Sequence, residues 1–153
     1  MDTTHLPNAS LDAAQATGWR SRGVVLHVED DDETRLATGV LLQVSGFEVR
    51  EAASAEAALR QADFLQNRLD VLIVDYHLGG DMTGTEVAES LARVLGHAVP
   101  TIILTGDPAN AGLPWLRNSP VWLVSKPVCP LTLIAGLHSL VAFRRAMKRI
   151  TKP

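Results

Sequence analysis

The chain has 153 residues, of which 46% are hydrophobic, and a formal net charge of −3. This length and apolar content suffice for one domain with a buried core, and the small negative charge gives no bulk attraction for nucleic acid or anionic membranes. The single cysteine, Cys129, excludes a disulfide within the chain and fits a reducing compartment.

The first part of the chain carries no recognisable structural or targeting signal. Residues 1–22 show no sustained hydrophobic period, so we expect a mobile N-terminal extension without a secretory signal. The longest uncharged run, residues 127–143, is shorter than the roughly 20 apolar residues that a membrane helix needs. These features predict a soluble cytoplasmic domain that binds neither membrane nor nucleic acid.

From Gly23 onward, short apolar runs alternate with stretches of helical spacing. Five runs predict strands: VVLHV, FEVREA, LDVLIVD, PTIILTG and VWLVS. Four stretches predict helices: ETRLATGVLLQVSG, SAEAALRQADFL, TGTEVAESLARVL and PLTLIAGLHSLVAFRRAMKRI. The Gly- and Pro-containing segment DPANAGLPWLRNSP predicts only a short or irregular helix. Because strands that alternate with helices form parallel sheets covered on both faces, the pattern predicts one doubly wound α/β domain.

Several polar residues suit the starts of these helices. Asp31 and the two acids after it are predicted to cap the first helix and to complement its dipole. Ser54 is the predicted cap of the second helix, and Thr83 has capping-box spacing to Glu86 at the third. Pro130 fits the first turn of the last helix.

Five polar side chains stand where the predicted strands end. Glu29 and Asp30 follow the first strand, Asp75 ends the third, Thr105 ends the fourth, and Lys126 follows the fifth. The carboxyl ends of parallel strands meet at one edge of the sheet, where ligands bind. Two carboxylates about 4 Å apart repel by about 4 kcal/mol at an effective dielectric of about 20, so three acids need an offsetting charge.

The residue types at this edge of the sheet indicate which positive charge offsets the three acids. We expect no arginine beside the acids, so a hard divalent cation with oxygen ligands, Mg²⁺, is the predicted offset. The hydroxyl and the lysine are then left to contact an anion. A carboxylate nucleophile, a magnesium ion, a hydroxyl and a lysine together form a phosphoryl-transfer site.

These motifs resemble those of the receiver domains of bacterial two-component response regulators. The resemblance covers residues 23 to about 141 and rests on the acidic pair ED, the aspartate in IVDYHL, the threonine in LTG and the lysine-proline in SKP. It implies a flavodoxin-like fold with five parallel strands in the order 2-1-3-4-5. The receiver domain would span residues 23–143, and residues 144–153 would form the basic C-terminal end of the last helix.

The resemblance also implies a role for each site residue. Asp75 would accept phosphate as an acyl phosphate from a histidine kinase or a histidine phosphotransfer protein. Thr105 would bond a phosphoryl oxygen, and Lys126 would pair with the phosphate. Such a domain catalyses only its own phosphorylation and dephosphorylation, and a homodimer is left open.

The implied metal shell uses the remaining residues. Asp30 and Asp75 would bind Mg²⁺ directly, Glu29 would bind it through water, and the backbone carbonyl of His77 would complete the shell. The resemblance, with the sharp turn needed to aim Lys126 at Asp75, also predicts a cis peptide bond between Lys126 and Pro127.

Glu29 replaces the commoner aspartate of the family, a tolerated variant, and three further positions depart from the family pattern. Gly79 replaces a proline that usually follows the phosphoacceptor by four residues. Gly84 lies one residue later than the family's glycine, which lengthens the loop HLGGDMTG. Leu123 stands where an aromatic side chain often rotates on activation, so we expect the signal to appear instead in residues 106–120.

Two alternative functions remain open at this point. One is a degenerate receiver that binds a partner without being phosphorylated. The other, which the sequence disfavours, is a magnesium-dependent aspartyl phosphatase, because such enzymes carry the nucleophile on their first strand within an acid-x-acid motif. The basic residues from Arg144 to Lys152 are interpreted as a solvated helix end, and Trp115 and Trp122 as packing residues.

Overall fold

A computed structural model describes residues 20–152 and contains one five-stranded sheet among them. The strands are β1 (Val24–Val28), β2 (Glu48–Ala52), β3 (Val71–Asp75), β4 (Thr101–Thr105) and β5 (Val121–Ser125). All four pairings are parallel, and the spatial order is β2-β1-β3-β4-β5. This confirms the predicted doubly wound, flavodoxin-like fold. Most of the predicted extension, residues 1–22, lies outside the described residues, so the domain boundaries stay a prediction.

Four α-helices lie among the described residues: α1 (Asp32–Val44), α2 (Ala55–Leu65), α3 (Gly84–Leu95) and α4 (Pro130–Ile150). The predicted caps are confirmed, since Asp31, Ser54 and Thr83 each accept a hydrogen bond from a backbone N–H in the first turn of their helix. Such caps satisfy donors that have no partner within the helix. No helix in residues 20–152 is long and apolar enough to cross a bilayer.

The core lies in two layers, one on each face of the sheet. On one face, Leu72 and Val74 of β3 pack against α2 and α3 through small and branched residues such as Ala62 and Leu91. On the other face, alternate strand residues pack against α1 and α4, where Leu137 is fully buried. Because β1, β3 and β4 are buried on both faces, their side chains form continuous apolar runs.

The connection between β4 and β5 differs from the others because it contains no α-helix. Its regular structure is limited to a short 3-10 helix, Pro108–Asn110, which agrees with the short or irregular helix predicted there. The interpretation of Trp115 as a packing residue is wrong, because 78% of its surface is exposed. With no helix over this segment, a large side chain has little to pack against.

The basic end of α4 is less solvated than predicted. Arg144 is buried, with 9% of its surface exposed, and its NH2 group donates to Asn67 Oδ1 at 3.4 Å. Lys148 Nζ lies 3.0 Å from Oδ1 of the buried Asp70. The first half of this basic stretch is therefore part of the packed structure rather than a free helix end.

Candidate functional site

Three carboxylates converge at the carboxyl end of the sheet. Glu29 and Asp30 directly follow β1, Asp75 ends the neighbouring strand β3, and one ligand oxygen from each lies within 4.8 Å of the other two. Glu29 and Asp75 are buried, whereas Asp30 is exposed to solvent. The parallel register thus brings together acids that are more than 40 residues apart in the chain. The chain between them passes through α1, β2 and α2 before it returns to the sheet at β3.

The surroundings of Glu29 in the acidic cluster raise its pKa. Burial, followed by the negative charge of Asp75, raises the pKa of Glu29 from 4.5 to about 7. A hydrogen bond that the Asp31 N–H donates to Glu29 Oε1 at 3.2 Å opposes this rise but does not cancel it. The protein therefore holds a proton at this edge under conditions where an ordinary glutamate is ionised.

A hard divalent cation fits these residues. Oε2 of Glu29 is buried and has no hydrogen-bond partner among the described residues, although its carboxylate faces two further acids. Unpaired buried oxygens in a carboxylate cluster are the donor set that Mg²⁺ takes. Glu29, Asp30 and Asp75 could hold such an ion, which would also remove the repulsion between them.

One expectation about the surroundings was wrong, because an arginine does lie beside the acids. Arg35 donates from NH1 to the backbone carbonyl of Glu29 at 2.9 Å and from NH2 to Asp32 Oδ1 at 2.6 Å. These contacts use a carbonyl and a surface acid, so the guanidinium makes no ion pair with the three clustered carboxylates. Spacing on α1 could have suggested it, since Arg35 follows Asp32 by three residues.

Lys126 is held directly against Asp75. Its Nζ lies 2.6 Å from Asp75 Oδ1, and its backbone N–H donates to the Thr105 carbonyl at 2.8 Å. The peptide bond between Lys126 and Pro127 is cis, which confirms the prediction. The lysine is therefore anchored at the end of β5 with its ammonium group on one oxygen of the buried aspartate.

Thr105 occupies the neighbouring strand end and is 1% exposed. Its neighbour Leu104 is in register with Asp75, so the threonine lies one residue beyond that pairing. Its hydroxyl oxygen accepts a hydrogen bond from the Asp107 N–H at 3.1 Å, which leaves the hydroxyl hydrogen free to donate. Thr105 thus links the site to the irregular connection that follows β4.

Gly79, in the loop after β3, and Gly84, the first residue of α3, both lie close to the acids of the site. Gly79 has a φ of +70°, which proline cannot adopt, and a Cβ there would lie 3.0 Å from Asp30 Oδ2. A Cβ at Gly84 would collide with the Asp75 backbone carbonyl oxygen. Glycine at 84 therefore lets α3 start directly against the strand that presents Asp75.

The remaining predicted ligand, His77, lies just beyond Asp75 in the same loop. It is exposed and forms an isolated antiparallel bridge with Thr83, immediately before α3. The loop therefore returns close to the strand end, which is where a carbonyl ligand would be needed. The role of its backbone carbonyl stays a prediction.

Residues 25–137 match the family model for the response regulator receiver domain. This span includes all six residues predicted for the site. Over a shorter stretch, the chain is 46% identical across 67 residues to a cyclic di-GMP phosphodiesterase of Thermotoga maritima. That stretch covers 44% of this chain and only 17% of the relative, so most of the relative has no counterpart here.

Solved structures of receiver domains are similar along most of the chain. The receiver domain of the hybrid histidine kinase CckA is 28% identical with a TM-score of 0.65, and the match covers 78% of this chain and 99% of that one. A chemotaxis protein of Vibrio cholerae, CheY4, is 27% identical with a TM-score of 0.61, covering 77% and 98% of the two chains. A receiver domain from Clostridium thermocellum, 22% identical with a TM-score of 0.70 over 82% and 98%, supports the fold alone.

Proposed function

The chain belongs to the response regulator receiver domain family, and from this premise we propose that it is a phosphoacceptor of two-component signalling. A histidine kinase or a histidine phosphotransfer protein would transfer a phosphoryl group to Asp75, with Mg²⁺ bound at the adjacent acids, in the cytoplasm. The observation that carries this proposal is the contact of Lys126 Nζ with Asp75 at 2.6 Å, beside three converging carboxylates.

The proposed step is a direct displacement at phosphorus. The Asp75 carboxylate oxygen that Lys126 does not hold attacks the phosphorus of a phosphohistidine. A bond forms between that oxygen and phosphorus while the bond between phosphorus and the imidazole nitrogen breaks, and the leaving imidazole takes up a proton. The product is an acyl phosphate on Asp75 and a neutral histidine on the donor.

The side chains around Asp75 suit this transfer. Lys126 orients the carboxylate before the reaction and then balances the negative charge of the phosphoryl group. Glu29, Asp30 and Asp75 would hold Mg²⁺, with the His77 carbonyl beside them, and the ion would neutralise charge on the transferred group. These residues make the chain a catalyst of its own modification only.

The Thr105 hydroxyl offers a route from the phosphoryl group to the surface. It is free to donate to a phosphoryl oxygen, but moving toward that oxygen stretches the bond it accepts from the Asp107 N–H. Asp107 is the second residue of the irregular connection between β4 and β5, which has few buried side chains. Such segments change conformation for small changes in free energy, so we propose that residues 106–120 report the phosphorylated state.

A surface for the phosphodonor lies next to the acids. Leu36, Val40 and Val44 are 66%, 49% and 78% exposed, and their spacing of four residues places them on one face of α1. This helix starts directly after the acidic pair, so a partner helix lying along it would reach Asp75. An exposed apolar stripe of this kind is typical of recognition between helices.

Incubation with acetyl phosphate or phosphoramidate, followed by intact mass measurement, tests the proposal. We expect the mass of one phosphoryl group to be added when Mg²⁺ is present, and little addition when the metal is removed with EDTA. The modified protein should lose the group in hydroxylamine, which cleaves acyl phosphates and leaves phosphoserine intact. Failure to gain the group at any metal concentration would favour the degenerate receiver instead.

A further inference from the structure

The Arg35 side chain folds back from α1 toward the short connection that carries the acids Glu29 and Asp30. Only 18% of its side-chain surface is exposed, although arginines on helix surfaces are mostly solvated. Its NH1 group donates to the Glu29 carbonyl at 2.9 Å, and its NH2 group donates to Asp32 Oδ1 at 2.6 Å. One guanidinium therefore joins the residue that follows β1 to the first residue of α1.

The Glu29 carbonyl belongs to the peptide unit that links the two acids. Because a peptide unit is planar, any rotation of this carbonyl also turns the N–H and the Cα of Asp30. On its other side Glu29 is fixed to the sheet, where its N–H donates to the Ala52 carbonyl at 3.0 Å. Within residues 20–152, the bond from Arg35 is the one hydrogen bond made by the linking peptide. Arg35 therefore sets the direction in which Asp30 leaves the strand.

The Asp30 carboxylate has less support than the other two acids. It is exposed, and it makes no ion pair and no hydrogen bond to any part of the chain that the structure describes. By contrast, Glu29 Oε1 accepts a hydrogen bond from the Asp31 N–H, and Asp75 Oδ1 contacts Lys126 Nζ. The position of the Asp30 carboxylate thus depends mainly on its backbone.

The two partners of Arg35 suit a guanidinium. NH1 and NH2 lie in one plane at a fixed separation, so they can donate to two acceptors that belong to different segments. A lysine carries all its donors on one nitrogen and cannot reproduce this fork. The positive charge of Arg35 is paired with Asp32 rather than with the three clustered acids, which leaves their negative charge for a metal ion.

We propose that Arg35 is a positioning residue for Mg²⁺ binding, because its hold on the Glu29 carbonyl and on Asp32 keeps Asp30 directed toward the ion. This inference rests on the function proposed above, which assigns Mg²⁺ to the three acids. Arg35 bonds to none of the three carboxylates, so it acts through their backbone. Groups that orient metal ligands in this way typically change metal affinity by about 10- to 100-fold when they are substituted.

Substitution of Arg35 separates orientation from charge, because the two effects have opposite signs. Removing a cation near three acids makes the site more negative, so charge alone would tighten Mg²⁺ binding in Arg35→Gln. Loss of the two hydrogen bonds should instead weaken Mg²⁺ binding about tenfold. Arg35→Lys keeps the charge and should also weaken binding, to a smaller extent, since the fork is lost. Calorimetric titration with Mg²⁺ measures both affinities.

Arg93 provides a matched control. It is an exposed arginine in the last turn of α3, and its NH2 group donates to Ser90 Oγ, three residues earlier, at 2.9 Å. Arg93→Gln removes the same charge and a contact of the same spacing, and it should leave the Mg²⁺ affinity unchanged. In the metal-free protein, the amide chemical shift of Asp30 should change in Arg35→Gln and stay constant in Arg93→Gln.

The rate of phosphorylation by acetyl phosphate gives a second measurement. In Arg35→Gln, the Mg²⁺ concentration for half-maximal rate should rise about tenfold. The rate at saturating Mg²⁺ should match the parent, because Asp75 and Lys126 keep their contact. A role of Arg35 in folding alone would lower the urea concentration at which the protein unfolds and leave the Mg²⁺ affinity unchanged.

Three results would overturn this inference and leave the proposed function intact. Tighter Mg²⁺ binding by Arg35→Gln would reduce Arg35 to a nearby charge. Affinities of Arg35→Gln and Arg35→Lys equal to that of the parent would show that the fork does not direct Asp30. A lower rate at saturating Mg²⁺ with unchanged affinity would assign Arg35 to phosphoryl transfer itself. A parent protein that binds no Mg²⁺ would overturn the proposed metal site and this inference together.

Discussion

The two ends of the sheet carry opposite charges, and they are built in different ways. At the carboxyl end, the acids Glu29, Asp30 and Asp75 come from strand termini. At the amino end, the cations come mainly from the last turns of α4, with Arg117 in a loop. Strand register alone brings the first group together, whereas the second group depends on how a helix packs across the sheet.

The difference also extends to how the charge is balanced. The acidic end has one lysine in contact with Asp75, and the proton retained by Glu29 removes a further charge. The basic end has one acid, Asp70, in contact with Lys148. The acidic end thus groups three carboxylates around one lysine, and the basic end groups several cations around one acid. The following predictions test whether the two ends act independently.

The largest effect is expected for Asp75→Asn, which should abolish phosphorylation by acetyl phosphate. An amide cannot act as the carboxylate nucleophile. Intact mass after incubation with Mg²⁺ measures the result. Asp63→Asn, the same change on the exposed face of α2, should be phosphorylated like the parent. A phosphorylated species at normal yield in Asp75→Asn would show that another residue accepts the phosphoryl group. The acidic end of the sheet would then not be the phosphoacceptor site.

Asp30→Ala should weaken Mg²⁺ binding by at least about tenfold, because it removes a ligand and a negative charge. Calorimetric titration with Mg²⁺ measures the change, and phosphorylation should fall with it. The matched control is Glu33→Ala, which removes an exposed acid from the first turn of α1. If the two variants bind Mg²⁺ equally well, the acids attract the ion only through their summed charge.

Asp70→Asn should lower the free energy of unfolding by about 2 kcal/mol, because Lys148 loses the charge of its buried partner. Urea denaturation measures this change, with Asp63→Asn again as the control. Phosphorylation of the folded Asp70→Asn variant should match the parent, since Asp70 lies at the opposite end of the sheet. An altered phosphorylation rate in the folded variant would show that the two ends are coupled.

In the metal-free protein, the free energy of unfolding of Glu29→Gln relative to that of the parent should increase as the pH rises. The folded protein keeps the Glu29 proton up to a pKa of about 7, whereas the unfolded chain releases it near 4.5. The parent therefore loses stability between these pH values, by about 1 kcal/mol after solvent screening, and the variant does not.

A second buried group, His27, also makes stability depend on pH in this range, so the experiment must separate its effect from that of Glu29. Burial lowers the pKa of His27 to about 4, so its contribution to stability rises between pH 4 and 6.5, opposite to that of Glu29. The difference between parent and Glu29→Gln isolates the glutamate, because His27 is common to both. Glu33→Gln should show no such difference. A difference that is constant with pH would contradict the raised pKa.

The smallest effect is expected in the connection between β4 and β5. Beryllofluoride, a phosphoryl mimic, should change amide hydrogen exchange in residues 106–120, because Thr105 would leave the Asp107 N–H for the bound group. Thr105→Val should remove this response, whereas Thr151→Val, at the end of α4, should keep it. Protection that stays unchanged in residues 106–120 would exclude this segment as the output.

Sequence patterns were sufficient for the order of the elements and for the acidic end. Apolar runs and helical spacing are local, and parallel strands bring their carboxyl ends to one edge whatever the details of packing. Glu29, Asp30, Asp75 and Lys126 could therefore be placed together from motifs at three strand ends. The caps Asp31 and Thr83 were equally local, because each side chain accepts a hydrogen bond from the first turn of its own helix.

Features that depend on contacts between distant segments required the tertiary structure. Neither the pKa of Glu29 nor the contact of Gly84 with the Asp75 carbonyl follows from any local pattern. Arg144 looked like part of a solvated basic tail, yet α4 packs it beside Asn67. A cavity at the amino end of the sheet joins α4 to loops up to 77 residues away from that arginine. Local periodicity carries no information on such distances, so only the packing of α4 against the sheet decided where these charges lie.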